Sequence, residues 1–233
     1  MRLVRASETN ARLREMNLAA AGLAHETRNP LNIVRGLAQL IAQDSAAPDE
    51  VRARSRQIAE EVDRVTGRLV EFIDYSRPRE PKPAPVQLAT VVRDVMRTLD
   101  GDREEKAVEF SLSGPDLVVE ADESLLRQVL FNLMLNAVEA VDHGGRIEVK
   151  VEKAGPDEAA FEVRDNGPGV PEGLREAIFR PYFTTHKEGT GLGLAVVRQI
   201  VLAHRWEIAC LAGDGSGARF RVTGMKLASR SAA

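Results

Sequence analysis

From Leu13 onward the apolar and small residues step by three and four: Leu13, Met16, Ala20, Leu23, Thr27, Pro30, Val34, Leu37 and Ile41. That spacing keeps one stripe of a helix apolar and reads as a heptad a/d seam, with Thr27 and Pro30 as its weak members. Asp44-Ser45-Ala46-Ala47-Pro48-Asp49 then breaks the pattern with turn-forming residues. A second seam follows at Val51, Ser55, Ile58, Val62, Val65, Leu69, Phe72 and Ser76. Two heptad helices on so short a connection predict an antiparallel helical hairpin. A lone hairpin cannot cover this much apolar stripe, so the pattern predicts a homodimer whose hairpins pair into a four-helix bundle. The same heptads would also suit a coiled-coil spacer without chemistry.

The pattern then changes. Arg77-Pro78-Arg79-Glu80-Pro81-Lys82-Pro83-Ala84-Pro85 reads as a semi-rigid extended joint. Beyond it the periodicity predicts a helix at Leu88–Leu99, strands at Val108–Leu112 and Leu117–Glu120, and a helix at Glu123–Val141. Strands follow at Arg146–Val151 and Ala160–Arg164, then a glycine loop, a lid-like stretch and a helix at Leu192–His204. Strands at Trp206–Leu211 and Ala218–Thr223 close the segment. This order predicts an α+β sandwich, one mixed sheet covered on one face by helices. The domain expectation is a helical hairpin at 1–78, a proline-rich linker at 79–85 and a second domain at 86–228.

Composition supports the division. The first aromatic is Phe72, twelve of the 18 glycines fall between Gly144 and Gly217, and four of the 11 prolines lie between Pro78 and Pro85. The 233 residues carry 32 Lys+Arg against 35 Asp+Glu, a net of −3. So balanced a charge argues against a general nucleic-acid binder or a polybasic membrane surface, since both need a field of one sign. Cys210 is alone, which excludes a disulfide framework and a cysteine zinc cluster. No apolar run approaches the length of a membrane span, and Met1–Arg5 does not begin a signal peptide, so the expected location is cytoplasmic.

Chemistry enters at His25. With Leu13 at position a, His25 falls at f, pointing away from the seam, Glu26 follows at g, and Asn29 lies one turn later on the face of His25. Pro30 interrupts the helix interior at a cost of roughly 3 kcal/mol in an ordinary helix. A spacer has no use for that. An imidazole becomes a nucleophile through one nitrogen when a neighbouring carboxylate accepts or holds the proton of the other.

Three later stretches point to a nucleotide. Asn132 and Asn136 lie at i and i+4 on an otherwise apolar helix, where a carboxamide oxygen could ligate Mg²⁺ arriving with phosphates. An interhelical amide contact would use the same pair. Asp165-Asn166-Gly167-Pro168-Gly169 ends a strand. Its carboxylate could accept a hydrogen bond from an exocyclic amine such as adenine's, though the loop could also be an ordinary turn. Gly189-Thr190-Gly191-Leu192-Gly193-Leu194 leads into an apolar helix and would cradle phosphates. Its spacing is neither the dinucleotide fingerprint nor a Walker A loop. Before it, Phe179–Glu188 mixes aromatics with a polar run, as a mobile lid would.

In order, these blocks resemble the sensor histidine kinases of two-component systems over nearly the whole chain. His25-Glu26-Thr27-Arg28-Asn29-Pro30-Leu31 is similar to the phosphoacceptor box and Asn132–Asn136 to the asparagine box. Asp165–Gly169 is similar to the first glycine box, Phe179–Phe183 to the phenylalanine box and Gly189–Leu194 to the second glycine box. The resemblance implies a dimerising phosphoacceptor bundle followed by an ATP-binding sandwich of the gyrase, Hsp90 and histidine-kinase type. It implies that His25 attacks the γ-phosphate of ATP with Glu26 as base and Asn29 positioning phosphate or water. Asn136 would ligate Mg²⁺ with Asn132 beside it, and Asp165, Gly167 and Gly169 would form the adenine pocket. Gly189, Thr190, Gly191, Leu192 and Gly193 would meet the phosphates. The phosphoryl group would pass to an aspartate of a response-regulator receiver domain, which the protein would also be able to dephosphorylate.

The sequence departs from the family pattern at three places. Thr27 stands where an aliphatic residue is usual, His186 where a lid lysine is common, and Glu139 where some branches carry a basic phosphate contact. Lys187 and Arg180 are then the candidates for neutralising the triphosphate. Two competing readings are an ATP hydrolase of the wider superfamily, which would need a carboxylate at Asn132, and a non-catalytic dimeric docking scaffold. Too few residues precede His25 for a sensor domain, so the chain is expected to be the catalytic core of a longer receptor or a small kinase governed by other proteins.

Overall fold

The computed structural model describes residues 27–76, 80–185, 189–212 and 217–228. The chain divides into two compact units, Met1–Pro78 and Arg79–Ala233.

In the first unit, helix α1 (residues 27–43) and helix α2 (Asp49–Ser76) are joined by a tight turn. Asp44 accepts the Ala46 N–H on its Oδ1 at 2.8 Å, an Asx-type turn that stops α1. Arg35 on α1 pairs with Asp63 on α2 at 2.6 Å. The residues buried within one chain are mostly small: Ala38, Ser55, Ala59 and Val62, with Ile73 packed on Leu69 near the far end of α2. Several residues of the predicted seam, Val34, Leu37, Ile41, Val51 and Ile58, remain exposed.

The second unit carries a five-stranded mixed sheet in the order β2-β4-β5-β7-β6 and a two-stranded ribbon of β1 and β3. The strands are β1 (Ala84–Gln87), β2 (Glu109–Ser113), β3 (Val118–Ala121), β4 (Arg146–Lys153), β5 (Glu158–Asp165), β6 (Glu207–Ala212) and β7 (Ala218–Lys226). Only β2 and β4 run parallel, and the crossover they require is supplied by β3 and helix α5 (Glu123–Ala140). Helices α3 (Leu88–Thr98), α5 and α6 (Gly193–Ala203) cover one face of the sheet. A short helix α4 (Asp100–Lys106) precedes β2.

Strand alternation sets the core. Ile147, Val149 and Val151 of β4, Phe161 and Val163 of β5, and Phe220 and Val222 of β7 point under the helices and are nearly inaccessible. Against them lie Leu126, Val129, Leu130, Leu133 and Met134 of α5, all 0% exposed. Each such side chain contributes roughly 1.5–3 kcal/mol by leaving water. On the opposite face Glu162 is 3% exposed, held by Arg164, by Arg219 at 3.0 Å and by Arg221 at 3.6 Å. Burial opposes its ionisation, but Arg219 and Arg164 outweigh that and keep the carboxyl below its ordinary range.

Two sequence readings change here. Ala84 and Pro85, read as the end of the linker, open β1. Proline is accommodated because β1 pairs with β3 alone and needs no N–H on its free edge. Helix α4 went unread because Asp100-Gly101-Asp102-Arg103-Glu104-Glu105-Lys106 contains no apolar residue and so no periodicity. At the end of α6, His204 is half-buried with its ring stacked on Trp206 at 4.1 Å. Its Nδ1 faces the carbonyl oxygen of Ile200 at 2.9 Å, and its Nε2 accepts the Asp122 N–H. Among the described residues no helix is long and apolar enough to cross a membrane.

Candidate functional site

Helix α5 begins under firm control. Asp122 is its N-cap and accepts N–H groups from Ser124 at 3.1 Å and Leu125 at 3.2 Å. Its second oxygen accepts the Lys82 N–H at 3.0 Å, so the chain entering the unit is bound to the start of the helix. Burial opposes the charge on Asp122, but the Lys82 N–H, the Ser124 hydroxyl and the Leu125 and Ser124 N–H groups overcome it and lower the carboxyl's pKa.

The two amides of α5 have separate fates. Asn132 donates from Nδ2 to the main-chain oxygen of Gly193, the first residue of α6, at 3.3 Å. It is therefore the interhelical contact that the sequence left as one of two readings. Asn136, one turn later and half-buried, makes no side-chain hydrogen bond of this kind among the described residues. Among those residues there is also no cluster of three His, Cys, Asp or Glu side chains able to hold a metal. A single hard carboxamide fits a divalent cation that brings phosphate and water oxygens with it.

Asp165 ends β5 and is 9% exposed. Its Oδ1 accepts both the Gly167 N–H at 2.9 Å and the Ala218 N–H at 3.1 Å. Oδ2 takes part in neither bond. Burial pushes the carboxyl's pKa above the ordinary value, against the pull of the Ala218 and Gly167 donors. Around it the loop is built main chain on main chain. A Cβ on Gly217 would meet the Asp165 oxygen at 1.8 Å, one on Gly169 would meet the Gly217 oxygen at 2.6 Å, and one on Gly167 would meet the Ala140 oxygen at 2.8 Å. Gly217 and Ala218 were not found from sequence, because they reach Asp165 only through the register of β7 against β5.

The second glycine segment closes the same way. Gly191 has φ +67°, and a Cβ there would meet the Tyr182 carbonyl carbon at 2.6 Å and the Phe183 oxygen at 2.7 Å. The Leu192 N–H donates to Thr190 Oγ1 at 3.3 Å, and the Leu192 side chain is buried. The Leu192 carbonyl oxygen accepts the Val196 N–H at 2.9 Å, so its main chain is committed to the turn and the helix that follows. Gly193 opens α6, whose first N–H groups have no partner within the helix and suit an anion. Gly189 is exposed beside them.

The lid reading needs correction at Phe179. Its ring is 5% exposed and meets Phe220 edge-on at 6.2 Å, so it anchors the segment to the core. Tyr182 is instead the exposed aromatic, at 63%, with φ +63°. Asn29 on α1 is exposed, as are Glu139 and Arg180. His25, Glu26, His186 and Lys187 lie outside the described residues.

Comparison with known proteins agrees with this arrangement. The model of the His Kinase A (phospho-acceptor) domain matches residues 15–81. That of the histidine kinase-, DNA gyrase B- and HSP90-like ATPase matches residues 121–228. Sensor histidine kinase ZraS of Salmonella typhimurium is 34% identical over 222 residues, 94% of this chain and 48% of ZraS. The chain thus spans about half the length of the curated relatives it matches first. Full-length ShkA in complex with AMPPNP superposes with TM-score 0.79 at 29% identity, covering 91% of this chain and 46% of that one. Histidine kinase ThkA in complex with response regulator TrrA gives TM-score 0.67 at 28% identity, covering 94% and 66%. The isolated ThkA catalytic domain is 32% identical, with TM-score 0.57, over 62% of this chain and 96% of that domain. Matched by both domain models in order, and spanning almost the whole of a related catalytic domain at a third identity, the chain belongs to the two-component sensor histidine kinases.

Proposed function

We propose that this chain is an ATP-dependent protein-histidine kinase core that phosphorylates its own His25 and passes the phosphoryl group to a response-regulator aspartate. The observation that carries the reading is the buried carboxylate of Asp165 at the end of β5, whose Oδ1 accepts the Gly167 and Ala218 N–H groups, so that Oδ2 is left to accept the amine of a planar base. ShkA was solved with AMPPNP and ThkA with a response regulator, which supports both ends of the reaction.

In the proposed reaction one imidazole nitrogen of His25 forms a bond to the γ-phosphorus as the bond to the ADP oxygen breaks. The proton on the other nitrogen is held or taken by Glu26, and Asn29 orients the phosphoryl oxygens or water. The N–H groups at the start of α6, preceded by Gly189–Leu192, hold the phosphate chain, and Asn132 fixes α6 against α5. Asn136 would hold Mg²⁺, which when bound spreads the charge of the triphosphate. Phosphoryl transfer asks little more of a protein than such positioning and charge neutralisation. Lys187 and Arg180 remain the proposed cations at the triphosphate. Both ATP and a receiver domain would be met in the cytoplasm.

The partner copy follows from α1 and α2. Ile33, Leu37 and Leu40 are 64%, 56% and 67% exposed, and Ile58 on α2 is 48% exposed. The residues buried within each hairpin are mostly small, and these large ones are left for a second hairpin. The proposed homodimer covers them.

The test is incubation with γ-labelled ATP and Mg²⁺. Acid-labile, alkali-stable label that disappears in His25→Ala is expected. Rapid free phosphate without labelled protein would favour a hydrolase instead. No label and no hydrolysis would leave the docking scaffold.

A further inference from the structure

The last carbonyls of α5 have no partners within the helix, and the geometry points to Lys106 as the residue that positions the adenine end of the nucleotide site by capping them. The Lys106 ammonium donates to the main-chain oxygens of Val138 at 2.9 Å, Glu139 at 3.2 Å and Val141 at 3.3 Å. Those three bonds use all the donors a lysine has. They also set a full positive charge at the negative end of the helix. The oxygen passed over within this set is that of Ala140, and it is the one against which Gly167 is packed so closely that a Cβ would come within 2.8 Å.

The Lys106 main chain grips the same corner. Its carbonyl oxygen accepts the Gly144 N–H at 2.8 Å, in the turn that leads from α5 into β4. At the start of β4 the Arg146 N–H donates to Asn166 Oδ1 at 2.8 Å, and Arg146 O accepts the Asn166 N–H at 3.2 Å. Lys106 is thus connected to the Asp165–Gly169 loop by two short routes, through Ala140 to Gly167 and through the turn and Arg146 to Asn166. It lies on α4, touches no proposed ligand atom, and is a positioning residue rather than a catalytic one.

Without the ammonium, three carbonyls crowd together at the end of α5 with only water to satisfy them, and the last turn can unwind away from Gly167. The loop that reads the adenine amine then shifts, while the phosphate-binding start of α6 does not. Lys106 therefore governs base selectivity more than affinity for the phosphates. This rests on the adenine reading of Asp165 proposed above.

The test compares ADP and GDP binding to the full chain by equilibrium dialysis, alongside thermal unfolding. Lys106→Ala is expected to lower ADP affinity about tenfold, the scale of a lost charge-assisted hydrogen bond, and to leave GDP affinity unchanged. Methylammonium chloride should restore ADP binding to that variant where sodium chloride at equal ionic strength does not, and Lys106→Arg should keep most of it. Lys106→Gln, which retains donors without charge, carries the same comparison where the alanine protein does not fold. Unchanged ADP affinity, ADP and GDP falling together, or a loss that methylammonium leaves untouched would each overturn the inference. Failure of the unaltered chain to bind ADP would instead strike the proposed function itself.

Discussion

The main-chain N–H of Asp122 donates to Nε2 of His204 across 3.1 Å, tying the start of α5 to the end of α6. Because Nε2 accepts here, the ring proton is on Nδ1, where it reaches the Ile200 oxygen at 2.9 Å. A second proton on the ring would put N–H against N–H. Burial lowers the pKa of His204 below its ordinary value, against the opposing effects of the Ile200 oxygen and the Asp122 charge.

The sign follows from linkage. Above the unfolded-state value of about 6.5 the ring is neutral whether folded or not, and the domain has its full stability. As pH falls through that value the unfolded chain takes up a proton first, and stability declines until the folded ring is protonated as well. The melting temperature should therefore drop between pH 7.5 and 5.5, and His204→Gln should flatten part of that drop. An equally steep decline in the variant would remove His204 as its source.

Gly217→Ala should be among the most damaging single-methyl changes in the chain. The new Cβ would lie 1.8 Å from the Asp165 oxygen, at a residue with φ +102°. A loss of about 3 kcal/mol or more is expected, measured by urea unfolding, together with loss of nucleotide binding. Gly101→Ala is the matched control. Gly101 is inside α4 with nothing within 4 Å of a new methyl, so it should gain up to about 1 kcal/mol.

Asn132→Asp tests the α5–α6 tie. A carboxylate cannot donate to the Gly193 oxygen and would repel it at the present 3.3 Å. The aspartate variant should bind ATP at least about tenfold more weakly and less well than Asn132→Ala, because repulsion adds to the lost bond. Equal affinities for the two variants would show that the contact is incidental.

Leu37→Glu, at a position 56% exposed in the single chain, should convert the proposed dimer to a monomer in sedimentation velocity. Nucleotide binding by Arg79–Ala233 should be unaffected, since that unit is separately compact.

Where residues carry their own signal, the sequence was enough. The reading of a helix at Glu123–Val141 matched α5 to within a residue, and Asp165–Gly169 and Gly189–Leu194 announced loops by glycine. The misreadings share one cause. Ala84 and Pro85 became a strand only because β3 was there to pair with them, and α4 has no apolar residue to betray it. Gly217 and Ala218 gain their role from Asp165, more than fifty residues earlier, through strand register. Phe179 was read with its polar neighbours as a lid, whereas its ring is committed to Phe220. Local patterns reveal what a segment is, and long-range pairing decides what it does.

The packing around the Asp165–Gly169 loop is made of atoms that every amino acid possesses. Gly167, Gly169 and Gly217 meet Ala140, Gly217 and Asp165 through main-chain oxygens. Exposed side chains around these contacts can change without altering their outline, provided that Asp165 and Asn166 keep the N–H groups they hold. What mutation cannot do is add a methyl group at three points, or lengthen the loop by one residue. Drift in this region is filtered by shape as well as by chemistry, and Gly167, Gly169 and Gly217 serve it by contributing no side chain at all.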